Sequence, residues 1–208
     1  MRLLSMTCAA PLAACIACAF SPAAAFAQAR NHAVDFAELV KVLLVPVAAK
    51  PDPPSWNLGA HPAIRWKSSA PQSAGAALAK DGLPLSRTGA VQITVGGQVT
   101  HRRGTRQPGQ WNVVLAGSNT FPMEVRLTMD AQAEGGIAPN DALRAAGFKV
   151  RALCKPGGIS SGTAVYAVEA PGYRPVAMSH EWSSGSAGTW AELRFAYTKP
   201  RAAKFRCE

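Results

Sequence analysis

The chain has 208 residues, with 22 Lys and Arg against 12 Asp and Glu, for a formal net charge of +10. It is too apolar for a disordered chain and too short for a large multidomain enzyme, and five cysteines are too few for a small disulfide-stapled scaffold. The strongly basic balance asks for an anionic partner, and which one depends on where the protein goes.

Met1-Arg2 is followed by an alanine-rich apolar stretch that ends in Ala25-Phe26-Ala27 and Ala27-Gln28-Ala29. A charged start, an apolar middle and small residues before the junction predict a signal peptide over residues 1–29. Pro11, Pro22 and the weak hydrophobicity of alanine argue against a membrane span. Leu12-Ala13-Ala14-Cys15 keeps a second reading open, a lipid anchor on Cys15, and only that reading ties the protein to a membrane. The expected location is periplasmic or secreted, with a lipid-anchored envelope protein as the alternative.

Cleavage after Ala29 removes one charge, Arg2, and lowers +10 to +9. It also removes Cys8, Cys15 and Cys18, leaving Cys154 and Cys207 as one pair. In an exporting compartment that pair predicts a disulfide.

Residues 30–61 read as an N-terminal segment and a Pro-rich linker. Within it Phe36, Leu39, Val40, Leu43 and Leu44 recur at helical spacing, while the run Val40 to Val45 also suits a strand. Pro46, Pro51, Pro53 and Pro54 then predict an extended surface path, with Trp56 docked on a neighbouring surface.

Residues 62–130 read as a β-rich half. Val91 to Val95, Gly96-Gly97 and Gln98 to His101 form a hairpin signal. Trp111 to Leu115 and Met123 to Met129 form a second pair of strands. In the latter strand Glu124, Arg126 and Thr128 share the face opposite Val125 and Leu127. Residues 131–208 read as an α+β half. A short helix near 140–146 is capped by Asn140 and Asp141 and stopped by Gly147. Strands are expected over 148–154, 164–170, 175–182 and 190–197. The class is therefore α+β and β-rich, built from antiparallel hairpins and meander strands with one disulfide, and 62–208 also reads as a single domain.

Gly158-Ile159-Ser160-Ser161-Gly162 matches G-x-S-x-G, with Glu169 and His180 following in triad order. The elbow needs a strand before the serine and a helix after it, but Lys155-Pro156-Gly157 precedes and a β pattern follows. A glycine- and serine-rich hairpin loop explains the match. His180 lies on an apolar strand face and reads as a hydrogen-bonded core residue. The remaining histidines lack metal-ligand spacing, and no phosphate-cradling glycine motif occurs, so neither metal nor cofactor is expected. The twelve acids form no cluster in sequence, although a carboxylate pair in space is open.

Arg102, Arg103 and Arg106 carry the densest charge, where a strand gives way to a loop. Arginines there suit phosphate or carboxylate groups. Export argues against nucleic acid and for a protein or an anionic envelope polymer. The sequence thus favours an exported, non-catalytic envelope binding protein, an inhibitor or immunity protein being one form of it. The alternative is a small periplasmic hydrolase using Ser160 or a carboxylate pair.

Overall fold

A computed structural model describes residues 33–48, 54–95, 98–99, 101–102, 109–129, 133–134, 139–154, 158–185 and 188–207. The expected signal peptide, 1–29, and Cys15 lie outside these residues. In chain order the elements are β1 (Val34–Asp35), α1 (Phe36–Leu43), β2 (Arg65–Trp66), β3 (Gln72–Ser73), α2 (Ala76–Lys80) and β4 (Leu85–Val95). Next come β5 (Gln98–Val99), β6 (His101–Arg102), β7 (Gln110–Gly117), β8 (Pro122–Met129), β9 (Ala133–Glu134) and α3 (Pro139–Ala145). The chain closes with β10 (Lys149–Ala152), β11 (Ser161–Glu169), β12 (Val176–Gly185), β13 (Gly188–Ala196) and α4 (Lys199–Ala202).

Two antiparallel meanders, β4-β7-β8 and β10-β11-β12-β13, join edge to edge through β8 and β13. Residues 62–130 and 131–208 therefore share one sheet. β1 adds to β4 in parallel, which makes the sheet mixed. The hairpin signal at 91–101 is met over Val91–Val95 and Gln98–Val99, with Thr94 opposite Val99, whereas His101 pairs with Glu134 of β9; Gly96 and Gly97 lie outside the described residues. Between β7 and β8 the register shifts at Ala116 and Gly117. A Cβ on Gly117 would stand 2.2 Å from the Phe121 carbonyl oxygen, so this turn admits only glycine.

Strand alternation gives the sheet two faces. The inner face carries Val91, Ile93, Trp111, Val113, Leu115, Val125, Leu127, Leu193, Phe195, Met178 and Tyr166, and α1 packs into the same core. Asp35 caps α1 by accepting from the Ala37 N–H at 2.9 Å. Phe36, Leu39, Val40 and Leu43 are all buried, each worth about 1.5–3 kcal/mol of apolar transfer. The helix reading of this segment holds. Tyr197 fixes its end by donating its hydroxyl to the Leu43 carbonyl at 2.7 Å.

The proline-rich stretch departs from an open extended path. Pro46 bridges to Tyr173, residues 56–59 form turns, and Trp56 and Leu58 pack on the core. Arg87 holds the stretch by donating to the Trp56 carbonyl at 3.3 Å. Two further helices, α2 and α4, accompany the expected one at 139–145, whose exit is the positive-φ Gly147.

Half of the outer face is covered by the C-terminal tail. α4 and the residues after it lay Phe205 against Val165 and Ala196, and Cys207 is bonded to Cys154 with the Cα atoms 6.1 Å apart. The expected disulfide is present. The tail beside it follows a helix rather than a strand.

Candidate functional site

The strands have two ends. β7, β11 and β13 begin, and β4, β8 and β12 finish, at one of them, which we call the open end. The other is the capped end, where β13 leads into the tail. The cross-strand registers convert the outer face into rows of side chains running from one end to the other.

At the capped end the row Ser86, Ala116, Glu124, Ala196, Ala177 lies under the tail. Glu124 is fully buried there and accepts from Arg201 Nε and Arg126 Nε, and from Arg194 Nη2 at 3.3 Å. Arg201 is itself buried and donates onward to Asp81, which also takes Lys204 Nζ at 2.9 Å. Burial pushes the Glu124 carboxyl up, but the Arg201 hydrogen bond and the Arg194 and Arg126 charges outweigh it and hold it below the usual range. The Arg201 hydrogen bond likewise holds Asp81 well below the usual range. This network pins the tail and is structural.

The open-end rows are built differently. One reads Ala90, Asn112, Thr128, Glu192, Glu181, Thr163, and the next Gln92, Gln110, with Trp190, Ser183 and Ser161 continuing it across β13, β12 and β11. Gln110, Asn112, Glu181, Ser183 and Ser161 are exposed, and Thr128, Glu192, Thr163 and Trp190 are half-buried. Glu181 stands directly opposite Glu192, and Thr128 donates its hydroxyl to Glu192 at 3.2 Å. A carboxylate pair therefore exists in space, as the sequence left open.

A cleft of about 310 Å3 opens beside these rows, lined by Gly158, Ser161, Gly162, Thr163, Glu181, Trp182 and Ser183. Trp182, between Gly162 on β11 and Ala191 on β13, alternates with Glu181 and Ser183 and so turns its indole to the core face, where it packs against the core. His180, two residues back on the same face, sets its ring 5.1 Å from the Trp182 ring. Burial pushes this imidazole down to about 4, so it is neutral at neutral pH. Ile159, on the loop at the rim, is fully exposed.

The sequence-derived residues distribute as follows. Ser160 lies in the loop before β11, and its carbonyl accepts from the Ser184 N–H. His180 pairs with Ala164, four residues farther along β11, which is about 13 Å at the usual strand rise. Glu169 lies five residues beyond Ala164, about 17 Å on. The three are strung along the sheet and do not form a triad, and a strand rather than a helix follows the serine. Arg102 ends β6, whose partner β9 approaches β13. Arg103 and Arg106 lie outside the described residues, between Arg102 and the start of β7 at the open end. Among the described residues no three His, Cys, Asp or Glu side chains converge to hold a metal, and no helix is long and apolar enough to cross a membrane.

The open-end rows escaped sequence reading because each contributes one residue per strand. Only the registers of β8, β13, β12 and β11 bring them together.

The chain matches no protein-family model, no curated protein and no solved structure.

Proposed function

We propose that the protein is an exported, non-catalytic binding protein of the bacterial envelope and that its partner is an anionic polymer. The observation that carries this reading is the unequal outer face. One half is sealed by the tail through Arg201, Phe205 and the disulfide. The other half presents an unsealed row of amides, hydroxyls, carboxylates and a tryptophan. A surface of this breadth suits recognition more than turnover, and the separation of Ser160, Glu169 and His180 supports the same view.

The basic balance supports an anionic partner. Arg102, at the end of β6, and Arg103 and Arg106, which follow it in sequence, carry guanidinium groups suited to phosphate or carboxylate. A periplasmic or secreted location supplies such partners, and a lipid on Cys15 would tether the same surface to the membrane.

The test is retention of the signal-free chain on lipopolysaccharide and on peptidoglycan, compared with the Ser160→Ala and His180→Ala variants. Retention is expected on at least one polymer, unchanged in the Ser160 variant. Hydrolysis of either polymer that stops on replacing Ser160 would replace the binding reading with a catalytic one. Retention on neither, with a protein recovered from envelope extracts instead, would move the partner to the protein class.

A further inference from the structure

We propose that β10 is a docking edge, at which the sheet takes up one further strand supplied by an extended, acidic segment of a partner protein. The site goes beyond the polymer reading and stands independently of it.

The sheet treats its two edges differently. On one side β1, β2 and β3 line the outer edge of β4. On the other side β10 pairs, among the described residues, with β11 alone. An open edge of this kind is a ready template for another strand. The register shows which backbone groups it offers. Leu153 donates its N–H to the Val165 carbonyl at 2.8 Å, so Leu153, Arg151 and Lys149, at every second position, turn their backbone groups to β11. The N–H and C=O groups of Val150 and Ala152 therefore face away from the sheet. The Val150 carbonyl marks that direction by accepting from Arg144 Nη2 of α3 at 3.2 Å. Arg144 is an exposed side chain, which an entering N–H can replace.

The side chains name the occupant. Val150 packs on the core, and strand alternation puts Lys149, Arg151 and Leu153 on the outer face. All three are exposed, Leu153 to 49%. Glu169 stands across from Lys149 but Ala167 stands across from Arg151, and among the described residues neither cation is held in a salt bridge. Because the Arg151 backbone faces β11, an added antiparallel strand meets Arg151 in the closer, non-hydrogen-bonded type of pair. Opposite charges stabilise such a pair and like charges weaken it. A second copy of β10 added antiparallel about Arg151 sets that arginine against itself. A segment that reads apolar, any, acidic, any, acidic instead meets Leu153, Arg151 and Lys149 in turn. Its alternate residues lie beside Val150 and Ala152 and bond to their backbone.

The experiment titrates residues 30–208, followed by amide chemical shifts, with a short synthetic peptide whose central run is leucine, valine, glutamate, valine, glutamate. Saturable shifts are expected at residues 148–153. Affinity should fall at least about tenfold when both glutamates of the peptide become lysine, and when Lys149 and Arg151 are both changed to Ala, exposed positions whose loss keeps the fold. It should fall as far for a peptide N-methylated at both valines, which lacks the N–H groups that face the edge. The absence of saturable shifts at 148–153 overturns the proposal. So does equal binding of the N-methylated peptide, which would reduce the contact to side-chain charge, and so does equal binding of the lysine peptide. Concentration-dependent shifts at β10 without any peptide would give the edge to a second copy and overturn it as well.

Discussion

Glu181 of β12 and Glu192 of β13 face each other directly across the strand pair, on the part of the outer sheet that the tail leaves uncovered. Like charges opposite one another weaken a sheet, by roughly 0.2–1 kcal/mol. Arg126 and Arg194, on the next row, bind Glu124 under the tail. Glu192→Gln keeps an acceptor for Thr128 and removes the repulsion. It is expected to stabilise the fold by roughly 0.2–1 kcal/mol in denaturant unfolding. A destabilised variant would mean the two carboxylates do not repel.

At the other end the charges are paired and buried. Arg201→Met removes one of the three arginines on buried Glu124 and, with Arg126 and Arg194 remaining, is expected to destabilise by less than the about 3–5 kcal/mol of a fully stranded buried charge. Combining it with Glu124→Leu should cost less than the sum of the single changes, by about 1–3 kcal/mol. Additive losses in urea unfolding would show that the two act independently.

Acid stability follows from the same groups. The folded values of Glu124 and Asp81 lie below their ordinary ones. Their contribution is therefore complete above the ordinary carboxylate range and is lost as pH falls through the lowered folded values. His180 acts in a separate window. Its folded value of about 4 lies below the ordinary 6.5, so the unfolded chain binds the extra proton first. Stability is expected to decline from about pH 6.5 to 4, by at most about 3 kcal/mol, and His180→Phe should flatten that window alone. A slope unchanged by the substitution would remove His180 as its source.

The Cys154–Cys207 bridge closes a 53-residue separation, and its loss is expected to cost about 4 kcal/mol through loop entropy. The tail has two further holds, Arg201 on Glu124 and Phe205 against Val165 and Ala196. Cys154→Ser with Cys207→Ser should thus remain folded at 25 °C with a lowered melting temperature. Unfolding at that temperature would show that the ionic and apolar contacts cannot hold the tail alone.

Much of this fold was legible in the sequence. Alternation and Gly- or Pro-marked turns located β7, β8, β11, β12 and β13 because each strand has one core face. The 3.6-residue spacing of Phe36, Leu39, Val40 and Leu43 located α1. The helices α2 and α4 escaped, since five and four residues are too few to carry a period. Alternation placed Glu124 on the face away from the core correctly. That this position is buried depends on a tail nearly eighty residues later in the chain. The joining of the two meanders at β8 and β13 and the meeting of Glu181 with Glu192 are likewise matters of long-range register, which no local pattern encodes.

The binding of an anionic envelope polymer is tested most directly by its salt dependence. The affinity of residues 30–208 for lipopolysaccharide would be measured between about 50 and 300 mM salt, beside a variant with Arg102, Arg103 and Arg106 all changed to Ala. The expected result is an affinity that falls steeply with salt in the parent chain. In the variant it should be weaker by at least about tenfold at low salt and vary with a shallower slope. Equal affinities and equal slopes would contradict it.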